Sequence, residues 1–146
     1  GDVTGVALFT HVGKYQGRIA AANVAGGDAR ADYRAIPAAV FTDPQVAQVG
    51  TVAGHGLVSA SWPVERTSRS STYERPKRKG FLKLVADRKR GVLVGGVAVG
   101  PEAGEWLQQV TLAIQARVPV DVLRRTIQPF PTFSEAVFFA ARDLPL

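Results

Sequence analysis

The sequence contains no cysteine among its 146 residues and only two histidines, His11 and His55. Without thiols, the chain cannot carry a disulfide scaffold, a thiolate zinc site, an iron–sulfur cluster or a thiol nucleophile. Two histidines also make a histidine-rich metal site unfavourable, so we predict no metal centre. Long apolar runs are absent as well: the run 92–99 is far shorter than the roughly 20 residues of a membrane-spanning helix, and we expect no membrane partner.

Methionine is absent too, and the chain starts with Gly-Asp-Val. We therefore expect it to be one part of a longer polypeptide. No secretory or transit segment opens it, which makes the cytoplasm the expected location. Its length suits one compact domain, and its composition, 46% hydrophobic and 21% charged, is typical of a globular protein.

The net charge of +6 comes from one cluster. Residues 65–90 hold ten basic and three acidic side chains, whereas the remaining residues hold eight basic and nine acidic ones. Nucleic-acid binding usually adds interleaved aromatic residues, and this segment offers only Tyr73 and Phe81. We predict a solvated loop and hairpin turn without nucleic-acid binding; a nucleic-acid binder that uses Arg66 to Arg90 is the rival hypothesis.

Hydrophobic periodicity predicts an α+β architecture, in which one leading helix precedes an antiparallel sheet of about four or five strands with packed helices. The leading helix is predicted over 6–24, where Gly26 and Gly27 stop it. Pro63 indicates that its strand lies at a sheet edge. The predicted strands are 39–42, 46–49, 58–64, 81–85 and 92–99, and the last two flank a charged hairpin turn.

Helical patterns return in the last third of the chain. Pro101 is expected at the first position of an amphipathic helix, and Asp121 is expected to cap a short second one. The two prolines in 128–132 predict an extended segment, because each disfavours helical backbone in its predecessor. A last helix is predicted from Ser134.

A search for catalytic groups among these residues finds no reaction. Asp43, Asp121 and Glu135 are separate in sequence, and the first two are typical turn and cap residues. His11 with Lys14 could serve in acid–base chemistry, but a lone histidine on such a helix is more often structural. The glycines in 95–100 lie in a predicted strand and lack the strand-turn-helix context of a phosphate loop.

Four collinear segments carry a resemblance to a known family. They are GDVTG with LFTHVGKYQGRIAAANVAG, then AIPAAVFTDPQVAQVG, then GFLKLVADRKRGVLVGGVAVGPEAGEWLQQVTLAI, and finally TIQPFPTFSEA. In this order they resemble the C-terminal part of the FAD-dependent pyridine nucleotide-disulfide oxidoreductases, such as dihydrolipoamide dehydrogenase, glutathione reductase and mercuric reductase. The resemblance implies that 1–33 is the tail of an FAD-binding domain and 34–146 a dimerisation domain. The chain departs from many relatives between Gly50 and Leu57, where they have a longer helical segment.

The resemblance implies a homodimeric enzyme in which NAD(P)H reduces FAD and the flavin passes electrons to a substrate. Most of that machinery, including the NAD(P) domain and the main FAD fold, would lie upstream, so we expect no turnover by this part alone. Asp2 matches the acidic residue that binds the ribityl chain of FAD, and Phe9, Thr10 and His11 match the helix start whose backbone N–H groups approach the flavin. The alternatives are a helix or turn cap for Asp2 and a helix-surface position for His11.

The segment TIQPFPTFSEA departs from the pattern of the disulfide-reducing relatives. Phe130 replaces the histidine that serves as an acid–base residue there, while Glu135 retains the glutamate that pairs with it. Because phenylalanine cannot transfer a proton, we do not expect this pair to catalyse thiol–disulfide exchange. Phe130 either packs between its prolines or forms an apolar lid over the partner's flavin, suited to a quinone or another planar acceptor. Gln128, where relatives often have another histidine, cannot titrate.

Aromatic residues near the end of the chain predict an interface independently of the resemblance. Four phenylalanines lie within ten residues, and aromatic side chains are enriched in interface cores. They are Phe130, Phe133, Phe138 and Phe139, and the alternative is that they fill the domain's own core. The rival to an enzyme fragment is a stand-alone homodimerisation or protein-interaction module without catalytic activity.

Overall fold

The computed structural model describes residues 1–73 and 79–146, and the chain divides into two compact units, residues 1–33 and 34–146. Part of the predicted basic loop, residues 74–78, lies outside the described residues. No helix within the two described ranges is long and apolar enough to cross a membrane.

The first unit consists of a 3-10 turn, Asp2–Thr4, and one helix, α1, Thr10–Val24. The predicted helix start at Val6 is therefore wrong. Gly5 adopts the left-handed conformation with φ 67°, and Phe9 is extended with φ −121°, so the residues between them stay outside the helix. Gly26, also left-handed with φ 90°, follows the helix end as predicted.

The second unit is built on a five-stranded antiparallel sheet with the order β1-β2-β5-β4-β3. The α+β prediction is confirmed, and Pro63 lies at the end of an edge strand as predicted. The strands are β1 Pro37–Val40, β2 Gln45–Gly50, β3 Leu57–Pro63, β4 Phe81–Asp87 and β5 Val92–Gly100.

Among the described residues of this unit, four helices accompany the sheet: α2 Ala103–Trp106, α3 Gln108–Gln115, α4 Val120–Arg125 and α5 Glu135–Arg142. The helix predicted from Pro101 begins only at Ala103, because Glu102 before it is left-handed with φ 55°. It is also divided at Leu107 into α2 and α3. Asp121 is not the cap of α4: Pro119 occupies that position, and the Asp121 carboxylate accepts a hydrogen bond from Arg124 at 3.0 Å. The predicted last helix is confirmed, with Ser134 at its N-cap.

The helices pack on one face of the sheet, where alternate strand residues form the core. Gly96 of β5 faces α3 so closely that an added Cβ would lie 2.9 Å from Val110 Cγ1. Its neighbours across the ladder, Val49 and Leu84, are fully buried. Burial of each such side chain stabilises the fold by about 1.5–3 kcal/mol. Two 3-10 turns, Val64–Arg66 and Ser68–Ser71, follow β3.

Candidate functional sites

In the first unit, the turn that carries Asp2 lies against the first two turns of α1. The Gln16 amide donates a hydrogen bond to the Thr4 hydroxyl at 2.9 Å, and an added Cβ on Gly13 would lie 3.7 Å from Gly1 Cα. Gln16 also donates to the Tyr33 hydroxyl at 3.1 Å, which holds the end of the unit to the same helix. The turn that carries the exposed Asp2 is thereby held against α1.

The start of α1 has no side-chain cap. Its N-cap residue, Phe9, contributes no side-chain hydrogen bond, and the first intrahelical bond runs from the Gly13 N–H to the Phe9 carbonyl at 3.0 Å. The Phe9 and His11 rings stack with centroids 5.1 Å apart. Backbone N–H groups in the first turn, together with the positive end of the helix dipole, favour an acceptor or a negative charge here. Phe9, Thr10 and His11 thus lie at the helix start, and Asp2 lies in the 3-10 turn that contacts Gly13 and Gln16 of the same helix.

In the second unit, Phe130 lies in the segment that joins α4 to α5, between Pro129 and a cis-linked Pro131. Its ring is 76% exposed, so it does not pack into the core of this unit. Phe133, in contrast, is buried against the edge of the Tyr73 ring, at a centroid distance of 5.2 Å. The aromatic residues predicted to lie at an interface are thus split between core and surface.

Glu135 has a partner that the sequence did not reveal. Its carboxylate accepts a hydrogen bond from the Ser68 N–H at 2.9 Å and a longer one from the Ser68 hydroxyl at 3.4 Å. Ser68 begins a 3-10 turn, so Glu135 caps that turn and joins it to the start of α5. Gln128 makes only a local contact, from its amide to the Thr126 carbonyl at 3.3 Å.

A cavity of about 360 Å³, open to solvent, lies beside this segment. Arg69, the residue after the capped Ser68, lines this cavity, and Trp106 lines it as well. The indole N–H of Trp106 donates to the Pro101 carbonyl at 2.8 Å and is therefore satisfied. Sequence reasoning missed this cavity, because its lining residues come from distant parts of the chain. They are Arg69, Glu102, Glu105, Trp106, Gln109, Pro131, Thr132, Phe133 and Ser134.

The charged hairpin turn between β4 and β5 is held by Asp87. The Arg90 N–H and guanidinium bind the Asp87 carboxylate at 2.9 and 2.7 Å and lower its pKa below the usual 3.8. This agrees with the predicted hairpin turn, and the absence of nucleic-acid binding stays a prediction. No group of three or more His, Asp or Glu side chains within the described ranges could hold a metal ion.

Comparison with known proteins gives consistent results. A family profile described as "Pyridine nucleotide-disulphide oxidoreductase, dimerisation domain" matches residues 36–141. A dihydrolipoyl dehydrogenase of Haloarcula marismortui is 39% identical over 97% of this chain and 31% of its own length. A mercuric reductase of Acidithiobacillus ferrooxidans is 40% identical over 97% of this chain and 27% of its own length.

Solved structures agree with the sequence matches. LpdA from Mycobacterium tuberculosis superimposes with a TM-score of 0.86 at 33% identity, covering 97% of this chain and 32% of its own. The HOCl-induced flavoprotein disulfide reductase RclA from Escherichia coli gives 0.87 at 25% identity, covering 98% of this chain and 34% of its own. The chain thus spans about a third of the length of these relatives. It belongs to the pyridine nucleotide-disulphide oxidoreductase family, and residues 36–141 are its dimerisation domain.

Proposed function

We propose that this chain is the C-terminal part of a cytoplasmic, homodimeric, FAD-dependent NAD(P)H oxidoreductase. Residues 1–33 would belong to its FAD-binding domain and residues 34–146 would form the subunit contact. The observation that carries the proposal is the arrangement of the first unit, where the Asp2 turn is held against a helix start without a side-chain cap. The same chain carries the family's dimerisation domain directly after this unit, at residues 36–141, which supports the proposal.

The residues of the first unit fit a flavin chemically. The Asp2 carboxylate would accept hydrogen bonds from hydroxyl groups of the ribityl chain. Backbone N–H groups at the start of α1 would donate to a flavin carbonyl, and the helix dipole would stabilise negative charge there. Bound FAD supplies the hydride chemistry, while these residues bind and orient it. Because they form only one edge of such a site, the chain alone would have no turnover.

The second unit favours a planar acceptor over a disulfide. Residues 126–134 contain no titratable side chain, and the Glu135 carboxylate is already bound to Ser68. This segment therefore offers no acid–base pair for thiol chemistry. Instead it presents the exposed Phe130 ring, which can stack on a flat, apolar molecule such as a quinone.

The experiment compares Asp2→Asn and Asp28→Asn in the full-length protein. Asp28 is an exposed control in the same unit, paired only loosely with Arg30 at 3.8 Å. Asp2→Asn keeps a neutral acceptor oxygen and loses only the charge, which costs about 0.5–1 kcal/mol and corresponds to roughly 2- to 5-fold weaker FAD binding. We expect weaker FAD binding for Asp2→Asn and unchanged binding for Asp28→Asn. We also expect the unmodified full-length protein to oxidise NAD(P)H in a flavin-dependent reaction.

Two outcomes would contradict the proposal. The first is a full-length protein that dimerises without binding flavin, which would favour the stand-alone association module. The second is tight FAD binding by the 146-residue chain itself, since most of the flavin site is proposed to lie upstream.

A further inference from the structure

Gln16 is a polar residue on the buried side of α1, one turn after Val12. It is 9% exposed and Val12 is 4% exposed. The Gln16 amide nitrogen donates to the Thr4 hydroxyl at 2.9 Å and to the Tyr33 hydroxyl at 3.1 Å, which uses both of its N–H groups. The amide oxygen is buried too, and it has no hydrogen-bond partner among the described residues. A buried acceptor without a partner destabilises a fold, so stability alone does not account for this residue.

The contact with Thr4 fixes how the amide is oriented. The Thr4 hydroxyl donates its proton to the Gly1 carbonyl at 2.9 Å, so towards Gln16 it can only accept. The Thr4 N–H donates to the same carbonyl at 3.0 Å, and the Gly5 N–H donates to the Asp2 carbonyl at 3.0 Å. Gln16 therefore binds a turn that is already closed, at the residue two positions after Asp2.

The contact with Tyr33 is supported by other interactions. The Asp32 N–H donates to the Tyr15 hydroxyl at 2.8 Å, and the Tyr15 and Tyr33 rings meet edge to face at a centroid distance of 6.1 Å. The end of the first unit thus stays attached to α1 without Gln16. Loss of the Gln16 amide is therefore expected to act mainly on the turn that carries Asp2.

We propose that Gln16 is a positioning residue for the flavin. It holds the Asp2 turn against α1, so that the Asp2 carboxylate and the N–H groups of the helix start act on one ligand. Two groups that are held in place before binding lose less conformational entropy when the ligand arrives. The inference rests on the proposed function, because it requires a flavin at Asp2. Since Gln16 is buried, it acts through the turn and not by contact with the flavin.

Replacement of Gln16 by methionine in the full-length protein tests this role. Gln16→Met keeps the length of the side chain and removes both donors and the unpartnered oxygen. We expect FAD to bind about fivefold more weakly, which corresponds to about 1 kcal/mol. The melting temperature of the flavin-free protein should be unchanged or higher, because Thr4 and Tyr33 are both exposed and can bind water instead. A purely structural residue would lower both quantities.

Three variants of the partner residues complete the experiment. Thr4→Val removes the acceptor and should weaken FAD binding as much as Gln16→Met, whereas Thr4→Ser keeps the hydroxyl and should bind FAD normally. The double variant Gln16→Met with Thr4→Val should be no weaker than either single variant, because both remove the same hydrogen bond. Tyr33→Phe is the matched control: it removes the other hydrogen bond of the same amide and should leave FAD binding unchanged.

The results separate this inference from the proposed function. A full-length protein that binds no flavin would contradict both. If the parent protein binds FAD and Asp2→Asn weakens it, but Gln16→Met and Thr4→Val do not, only the positioning role is overturned. An equal loss of FAD affinity in Tyr33→Phe, with a lower melting temperature, would overturn it as well. Thr4→Val alone decides the question if Gln16→Met fails to fold, since Thr4 is exposed.

Discussion

Replacement of Glu135 by alanine tests whether this glutamate is a structural cap. The variant removes the acceptor of the Ser68 N–H at 2.9 Å and of the Ser68 hydroxyl at 3.4 Å. Hydrogen bonds to a charged group contribute about 1.5–3 kcal/mol, and the half-buried position and the long second contact favour the lower end. We therefore expect Glu135→Ala to lower the free energy of unfolding by about 1.5–2 kcal/mol.

Tryptophan fluorescence in urea is the suitable assay. The only two tryptophans, Trp62 and Trp106, both lie in the second unit, so the signal reports that unit alone. Trp62 stacks on Phe139 of α5 with ring centroids 4.5 Å apart, and α5 begins at Glu135. With a urea dependence of about 1–3 kcal/mol per molar, the unfolding midpoint falls by about 1 M.

Two further variants separate the hydrogen bond from the loss of charge. Glu105→Ala is the control, because this exposed carboxylate on α2 has no hydrogen bond or ion pair with the described residues. Its effect is expected within about 0.5 kcal/mol. Glu135→Gln keeps an acceptor oxygen for the Ser68 N–H and is expected to lose only about 0.5–1 kcal/mol. If Glu135→Ala is no less stable than Glu105→Ala, the assignment of Glu135 as a cap is refuted.

Three other changes follow from the same structure. Gly95→Ala places a methyl group against the Thr51 carbonyl, so urea unfolding should show a loss of about 3 kcal/mol or more; a loss below about 1 kcal/mol contradicts this packing. Asp87→Asn should lower the melting temperature at neutral pH. The pKa of the Asp87 carboxyl is lowered in the folded state, so the ionised carboxylate stabilises the fold above about pH 3.8. That difference should shrink as the pH falls through the lowered pKa, and a pH-independent difference would argue against the ion pair with Arg90. Phe130→His in the full-length protein should not create efficient lipoamide reduction, since Glu135 is bound to Ser68; a large gain in that assay would contradict the structure.

The sheet was predictable because its signals are local. The strands β4 and β5 alternate between the two faces, and a charged turn that ends in Gly91 connects them as a hairpin. Each of these features depends on residues a few positions apart. Pro63 identified an edge strand for a similar reason, because a missing N–H is tolerated only where no ladder bond is needed.

The helix starts were predicted less well, because single backbone conformations decide them. Val6 has a good helical spacing with later apolar residues, but left-handed Gly5 and extended Phe9 delay the helix to Thr10. Left-handed Glu102 has the same effect after Pro101. A left-handed residue other than glycine is uncommon, so composition and periodicity gave no warning of it.

Glu135 illustrates why the role of a motif residue depends on the fold. The resemblance paired it with a histidine five residues earlier, but Phe130 occupies that position and offers no hydrogen-bond donor. A half-buried carboxylate without a donor would be destabilising, and the fold supplies one from Ser68, 67 residues away in sequence. No local pattern reveals a partner at that separation. With a backbone N–H as its donor, the same carboxylate holds a turn in place, whereas an imidazole donor would make it a partner in proton transfer.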